Sequence, residues 1–361
     1  MERISDSGDS LLLPGVAPET ITPPPLPTLH LPRPHLYRFL EQDAPKALIV
    51  MAPVGFGKST LGAEWAHANP RSIWFESTAY DDIQTTLHRM ICAIRRISPS
   101  FAEWYHVDRN VEKNLEATIK RMTQEVADID DNVNLILDGL EKMPAANARF
   151  VQIWTDNLPL NVRTLSLRRN APLISYERAV ELGVLKYLAA FDIRFSDEEL
   201  IALKDLYRID MDDDELITTV KSLNGWPAGV TIYLEAVARM TGSLDERELN
   251  STITKFLPRD LVDVFRSKSG LQKLGTQNLI NLLERAGYPG FTIRGRSAQA
   301  LTPREVEILK LLNSDRTVAK IAQDLFISIN TLKSHLKSIY KKLEVANRDE
   351  AVLRAHESAL I

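Results

Sequence analysis

Lys58 follows Gly57 and precedes Ser59 and Thr60 in the stretch APVGFGKST, which runs from Ala52. The spacing is that of a phosphate-binding loop, G-x-x-x-x-G-K-[ST], with Ala52 where the pattern has its first glycine. In such a loop successive backbone N–H groups turn inward onto phosphates, and Gly55 and Gly57 permit that geometry. Lys58 would neutralise the β- and γ-phosphates, and the Ser59 hydroxyl would ligate Mg2+. The helix that follows would aim its positive end at the same anion. Downstream, the apolar run LIL delivers Asp138, which could help hold the metal or could simply end a strand. Hydrolysis needs more, namely a group that orients water. The position after Asp138 is Gly139, and Glu141, two residues on, could face the site or solvent. Arg168 and Arg169 close the next apolar run, as phosphate-sensing cations or as a solvated strand end.

A second constellation lies near the other end of the sequence. TPRE (Thr302–Glu305) is a capping box with proline at the first helical position. The helix it opens turns Val306, Ile308, Leu309 and Leu312 inward. A short helix (TVAKIAQDL), a tight connection and a longer helix capped by Ser328 follow. Ile329, Leu332, Leu336, Ile339 and Leu343 form an apolar stripe at helical spacing on the last helix. Asn330, Lys333, Ser334, Lys337 and Lys341 cover its opposite side. The pattern is a helix-turn-helix for double-stranded DNA. Lys333, Ser334 and Lys337 could reach base edges in the major groove, whereas Thr331, Lys341 and Lys342 suit phosphates. A solvated lysine-rich face would share that pattern. Residues 301–361 hold ten Lys and Arg against eight Asp and Glu, so DNA binding would rely on this one helix and on a second copy of the module.

Both motifs need elements to hold them. KALIVM, RSIWFES, NVNLILD and RTLSLRR read as strands alternating with helices, which predicts a doubly wound α/β domain. After about residue 197 only helices are expected, until the glycine-rich GYPGFTIRGRSAQA. The expected organisation is a disordered proline-rich tail over 1–30 and a nucleotide-binding domain over 31–190. A helical region over 191–286, a linker over 287–298 and a DNA-binding domain over 299–361 complete it.

The composition, 44% apolar and 25% charged with a net charge of −4, is that of a globular protein without a general basic coat. The single Cys92 lies in an apolar helical pattern and fits a reducing cytosol. No run of apolar residues is long enough for a membrane span, and the N-terminal segment lacks a signal-peptide pattern, so a cytoplasmic location is expected.

The C-terminal residues LTPREVEILKLL and IAQDLFISINTLKSHLKSIYKKLEV closely resemble the LuxR-type DNA-binding domain. PRPHLYRFL, the phosphate loop, IWFESTAYDDIQTTLHRMICAIR, DIRFSDEEL and NGWPAGV resemble the large ATP-binding LuxR regulators, a maltose-regulon-activator-like subgroup of the signal-transduction ATPases with numerous domains. The resemblance implies a P-loop NTPase fold, ATP with Mg2+ as ligand, and a cytoplasmic bacterial regulator. It further implies homo-oligomers on DNA, with RNA polymerase as a further partner. In that family alanine is frequent at the position of Ala52. The chain departs at Gly139, where the family has a second acid, and at Asn224, where an acid precedes Gly225 and Trp226. It departs also in the interval 241–298, too short for the usual sensor array of helical repeats. The expected function is therefore an ATP-responsive transcription regulator with at most weak regulatory ATPase activity. The alternatives are a shortened, non-catalytic partner of a full-length regulator and an NTPase enzyme addressed to DNA.

Overall fold

The computed structural model describes residues 12–42, 46–107, 111–144, 147–169, 183–244, 265, 267–286, 303–313, 316–325, 327–343, 348, 351–352 and 355. Among them the chain forms two compact units, one of residues 12–50 and 57–188, the other of 51–56 and 189 onward. The linker expected over 287–298 lies outside the described residues.

The first unit is built on a five-stranded sheet: β1 (Lys46–Met51), β2 (Ser72–Glu76), β3 (Val133–Asp138), β4 (Val162–Arg168) and β5 (Leu185–Ala189). Their spatial order is β2-β3-β4-β1-β5, the order of a P-loop α/β domain. β2, β3 and β4 pair in parallel, with Glu76 opposite Asp138 and Asp138 opposite Leu167. β5 escaped the sequence reading because its five residues interleave Lys186 and Tyr187 with the buried Leu185 and Leu188. The helices are α1 (Lys58–Ala68), α2 (Ile83–Arg95), α3 (Val111–Ala127) and α4 (Ala148–Asp156). Gly62 lets α1 lie directly on the sheet, since a Cβ there would come within 2.7 Å of Leu167 Cδ1. Ile73, Phe75, Leu87, Ile91, Leu135 and Phe150 share the core on the α2 side.

The expected tail is not disordered over 12–30. Val16, Thr20 and Ile21 are buried, and Val16 and Ile21 join the core of β2 and α2. His88 contacts the Pro14 carbonyl at 2.9 Å, and the Leu13 N–H reaches Cys92 Sγ. Prolines set the path of this segment, but buried polar contacts fix it. Glu64 of α1 accepts hydrogen bonds from His30 Nε2 (3.0 Å), the Arg33 N–H (2.8 Å) and the Tyr37 hydroxyl (2.9 Å). Burial raises the Glu64 carboxyl, but the hydrogen bonds from His30, Arg33 and Tyr37 outweigh it and hold the group below the usual carboxylate range. Residues 1–11 lie outside the described residues.

The second unit holds α5 (Asp197–Leu206), α6 (Asp213–Val220), α7 (Pro227–Thr241), α8 (Lys268–Leu274) and α9 (Thr276–Ala286). Ser196 and Glu199 make a reciprocal capping box on α5, and Asp212 caps α6. Between α6 and α7 the chain turns through Asn224 and Gly225, at φ +49 and +67. Asparagine is among the few residues that tolerate this left-handed conformation. A Cβ on Gly225 would come within 2.6 Å of the Phe195 carbonyl, so only glycine fits.

Further along the same unit the described residues form helices α10 (Pro303–Leu312), α11 (Val318–Asp324) and α12 (Ile329–Leu343). Their core is Ile308, Leu309, Leu312, Ile321, Ala322, Leu332, Leu336 and Ile339, closed by Ala351 and Ala355. Ile329, placed in the apolar stripe by its spacing, is instead 45% exposed, because the first residue of a helix has no preceding turn to pack with. No helix among the described residues is long and apolar enough to cross a membrane.

Candidate functional site

The phosphate loop joins β1 to α1. Ala52 is buried, and Gly55 and Gly57 take φ +83 and +74. Gly57 is the N-cap of α1 and, having no side chain, supplies no side-chain cap to its first turn. Within the second unit, the Ala228 N–H donates to the Gly55 carbonyl at 2.9 Å. The Trp226 indole closes over Gly55, where a Cβ would come within 2.8 Å of its Nε1. The start of α7 thereby fixes the loop's backbone, a contact the sequence showed only as an unassigned Gly-Trp-Pro.

In the first unit Lys58 and Ser59 open α1, and Thr60 follows, half-buried. Ser59 Oγ donates to Asp138 Oδ2 at 2.7 Å, so two residues 79 positions apart meet at one point. Burial pushes the Lys58 ammonium down to about 8, against Asp138 and then Glu141, which favour its charge. Burial likewise raises the Asp138 carboxyl, opposed by the Ser59 hydrogen bond and reinforced by Glu76. Each group is thus held toward its neutral form by poor solvation, and an anion with a divalent cation would restore both charges. One carboxylate and one hydroxyl, completed by phosphate oxygens and water, is a donor set that suits Mg2+.

The residues around this point are ordered by buried polar contacts. Arg89 binds Asp81 in a bidentate pair, with Nη2 to Oδ1 at 2.7 Å, and donates to the Glu76 carbonyl. The Ser77 N–H donates to the Asp138 carbonyl at 2.9 Å, locking the ends of β2 and β3 together. Arg168 is the half-buried last residue of β4. Its neighbour Arg169 is the arginine whose charge bears on Lys58, and it lies 3.7 Å from Glu141.

The second candidate surface is α12. Ser328 caps it, accepting from the Thr331 N–H at 3.0 Å. Thr331, Lys333, Ser334, Lys337 and Lys341 are exposed. The side chain of Asn330 lies outside the described residues, as does Thr302 of the expected capping box. Val318, Lys333, Leu336, Lys337 and Tyr340 line a shallow depression of about 420 Å³ on this face. Lys342 departs from the expected phosphate-facing role. It is 13% exposed and donates to Glu305 Oε2 at 2.7 Å, while Ser338 donates to Glu305 Oε1 at 2.6 Å. Lysine at the inner edge of the polar face was indistinguishable by spacing from its exposed neighbours. Arg348 donates to the Leu312 and Arg316 carbonyls, and Arg304 donates to the Leu325 carbonyl, so the C-terminal ends of α10 and α11 are satisfied by charged donors.

A three-helix module with a capped, lysine-bearing third helix defines a helix-turn-helix DNA-binding protein. Residues 299–355 match the model of the bacterial regulatory proteins of the luxR family. The chain is 34% identical over 103 residues to the transcriptional regulatory protein LiaR of Bacillus subtilis, covering 28% of this chain and 48% of that one. It thus spans about half the length of that relative. The response regulator protein VraR of Staphylococcus aureus is 30% identical over 169 residues, covering 45% of this chain and 76% of VraR. The HTH-type transcriptional regulator MalT of Vibrio parahaemolyticus is 42% identical over 55 residues, covering 15% of this chain and 6% of MalT. Among solved structures, a signal transduction ATPase with numerous domains and a tetratricopeptide repeat sensor from Pyrococcus horikoshii aligns over 96% of this chain and 45% of that one. Its TM-score is 0.46 and its identity 13%. The chain belongs to the LuxR family of bacterial regulatory proteins.

Proposed function

We propose that this regulator responds to ATP. Nucleotide with Mg2+ would be held at Lys58, Ser59, Thr60 and Asp138, and its occupancy would bias binding of the α12 face to DNA. The observation that carries the reading is the 2.7 Å contact of Ser59 with Asp138 beside the half-buried Lys58, at the N-terminus of a helix whose N-cap is Gly57. The packing of Trp226 and Ala228 on Gly55 supports a route outward, because a loop that moves around phosphates must move against the start of α7. Coupling then amounts to differential affinity of the nucleotide for two conformations. Self-association would bring two modules onto paired half-sites in the cytoplasm.

The test maps DNA sites, and measures affinity for them, with and without ATP in the wild type and in Lys58→Ala. If ATP leaves DNA affinity unchanged in both, the response to nucleotide is refuted while DNA binding stands. On the DNA side, Lys333→Ala and Lys337→Ala should each weaken binding to the preferred site by roughly 1–3 kcal/mol, with little change on unrelated sequence. Titration of labelled duplexes of both kinds distinguishes the outcomes, since equal loss on both would assign that lysine to phosphate.

A second reading is favoured by the short interval 241–298. The chain could pair with a longer regulator and modulate it. Co-purification with such a partner, together with no DNA binding by the chain alone, would select that reading.

A further inference from the structure

We infer that Glu141 orients the water that attacks the terminal phosphate of a bound nucleoside triphosphate, taking the place of the acid missing at position 139. The inference rests on the nucleotide reading of the Lys58 site and asks whether that site also hydrolyses.

Position 139 holds a glycine that suits its left-handed backbone. Gly139 sits at φ +72, and a Cβ there would come within 2.8 Å of Lys142 Cε. That left-handed residue turns the chain into the tight turn Leu140–Lys142, closed by the Lys142 N–H on the Gly139 carbonyl at 2.8 Å. The turn folds Glu141 inward, leaving its side chain 13% exposed. Its charge bears on Lys58, second only to Asp138 among the groups that favour the ammonium.

The two carboxylate oxygens of Glu141 have different surroundings. Oε1 lies 3.7 Å from Arg169 Nε. Oε2 is buried and accepts no hydrogen bond from any described residue. A buried acceptor without a donor is costly, and a water molecule is the donor small enough to satisfy it. A water held there would sit on the turn directly after Asp138, whose carboxylate meets Ser59 at 2.7 Å. Glu76, the other nearby acid, is differently placed. It is 3.0 Å from Lys142 Nζ, and its charge bears on Asp138 rather than on Lys58.

The step balances without any further reactant. The water oxygen bonds to the terminal phosphorus as the bond from that phosphorus to the bridging oxygen breaks. The bridging oxygen leaves with its electron pair on the diphosphate. The proton of the water passes to Glu141 and on to solvent. Arg169 neutralises Glu141 on its other side and keeps the carboxylate near the phosphates.

The test uses the full chain, Mg2+ and ATP, with Glu141→Gln and Glu76→Gln as variants. Two quantities are read: affinity for a non-hydrolysable ATP analogue, and the identity of the nucleotide that stays with the protein through gel filtration. Wild type should emerge with ADP, and Glu141→Gln should emerge with ATP at unchanged analogue affinity. Its turnover should fall by roughly 10²–10⁴-fold. The inference is overturned if Glu141→Gln emerges with ADP as wild type does, if Glu76→Gln alone retains ATP, or if wild type binds ATP and never converts it. Failure of the wild type to bind the analogue would overturn the nucleotide reading itself, and this inference with it.

Discussion

Replacing Lys58 by alanine is expected to reduce affinity for ATP in the presence of Mg2+ by about ten- to a hundredfold while leaving the melting temperature nearly unchanged. The two halves of that expectation have one cause. A charge-assisted contact to phosphate is worth roughly 1.5–3 kcal/mol, which sets the loss of binding. In the protein alone, Lys58 contributes little to stability, because burial has already pulled its ammonium down to about 8. Removing a poorly solvated cation relieves a penalty and removes an attraction to Asp138 at the same time. Asp138 keeps its hydrogen bond from Ser59. Calorimetric titration with ATP and a thermal melt on the same preparation check both halves. A variant that binds ATP as wild type does would remove Lys58 from the nucleotide site.

The second large effect concerns stability. Glu305→Ala should destabilise the three-helix module by roughly 3–5 kcal/mol, enough to unfold much of it at ordinary temperature. Glu305 joins the first helix of the module to the third through Ser338 and Lys342, and its side chain is only 4% exposed. The alanine variant leaves the Lys342 ammonium buried without its counter-charge, which is the costly half of breaking an ion pair. A small module has little reserve against such a loss. Replacing both partners with residues of similar volume, Glu305→Met with Lys342→Met, should be far milder, since no charge is then stranded. Circular dichroism melts of the full chain would show a low-temperature transition in the single variant that is absent from wild type and from the double variant. A single variant that melts as wild type does would mean that the pair carries no net stabilisation.

The candidate site around Lys58 was legible where one residue type has one use. Glycines before a lysine and a serine, between an apolar strand and a helix, fixed the loop's location. A strand ending in Asp138 fixed its partner across the sheet. What spacing could not show was sidedness. Glu141 lay three residues past Asp138, and only the left-handed turn at Gly139 decides that it points in. Between Arg168 and Arg169 the sequence offered no choice, because alternate strand residues face opposite sides and the phase is set by register. The proline-rich segment misled for a related reason. Its composition is that of an extended chain, yet Pro18–Ile21 form a short 3-10 helix, and a single buried acceptor, Glu64, lies 31 positions beyond the backbone N–H it fixes. Contacts of that kind leave no periodic trace. On the third helix of the DNA-binding module, the apolar stripe held in its middle and failed at its first residue, where Ile329 has no turn to pack against.

The buried pair of Lys342 with Glu305 also bears on how this regulator answers to ionic strength. A lysine that meets phosphate sheds a condensed counterion from the DNA, and each such event steepens the fall of affinity with salt by about 0.9 in logarithmic slope. Lys342 is already paired with Glu305 in the folded module, so it would neutralise no phosphate and release no counterion from DNA. Lys341, one position earlier, is exposed. Measured between low and moderate salt, Lys341→Gln should flatten the slope by about one unit. Lys342→Met in the double variant with Glu305→Met should leave it where it was. Two adjacent lysines of identical sequence type would then be told apart by the ions each one displaces.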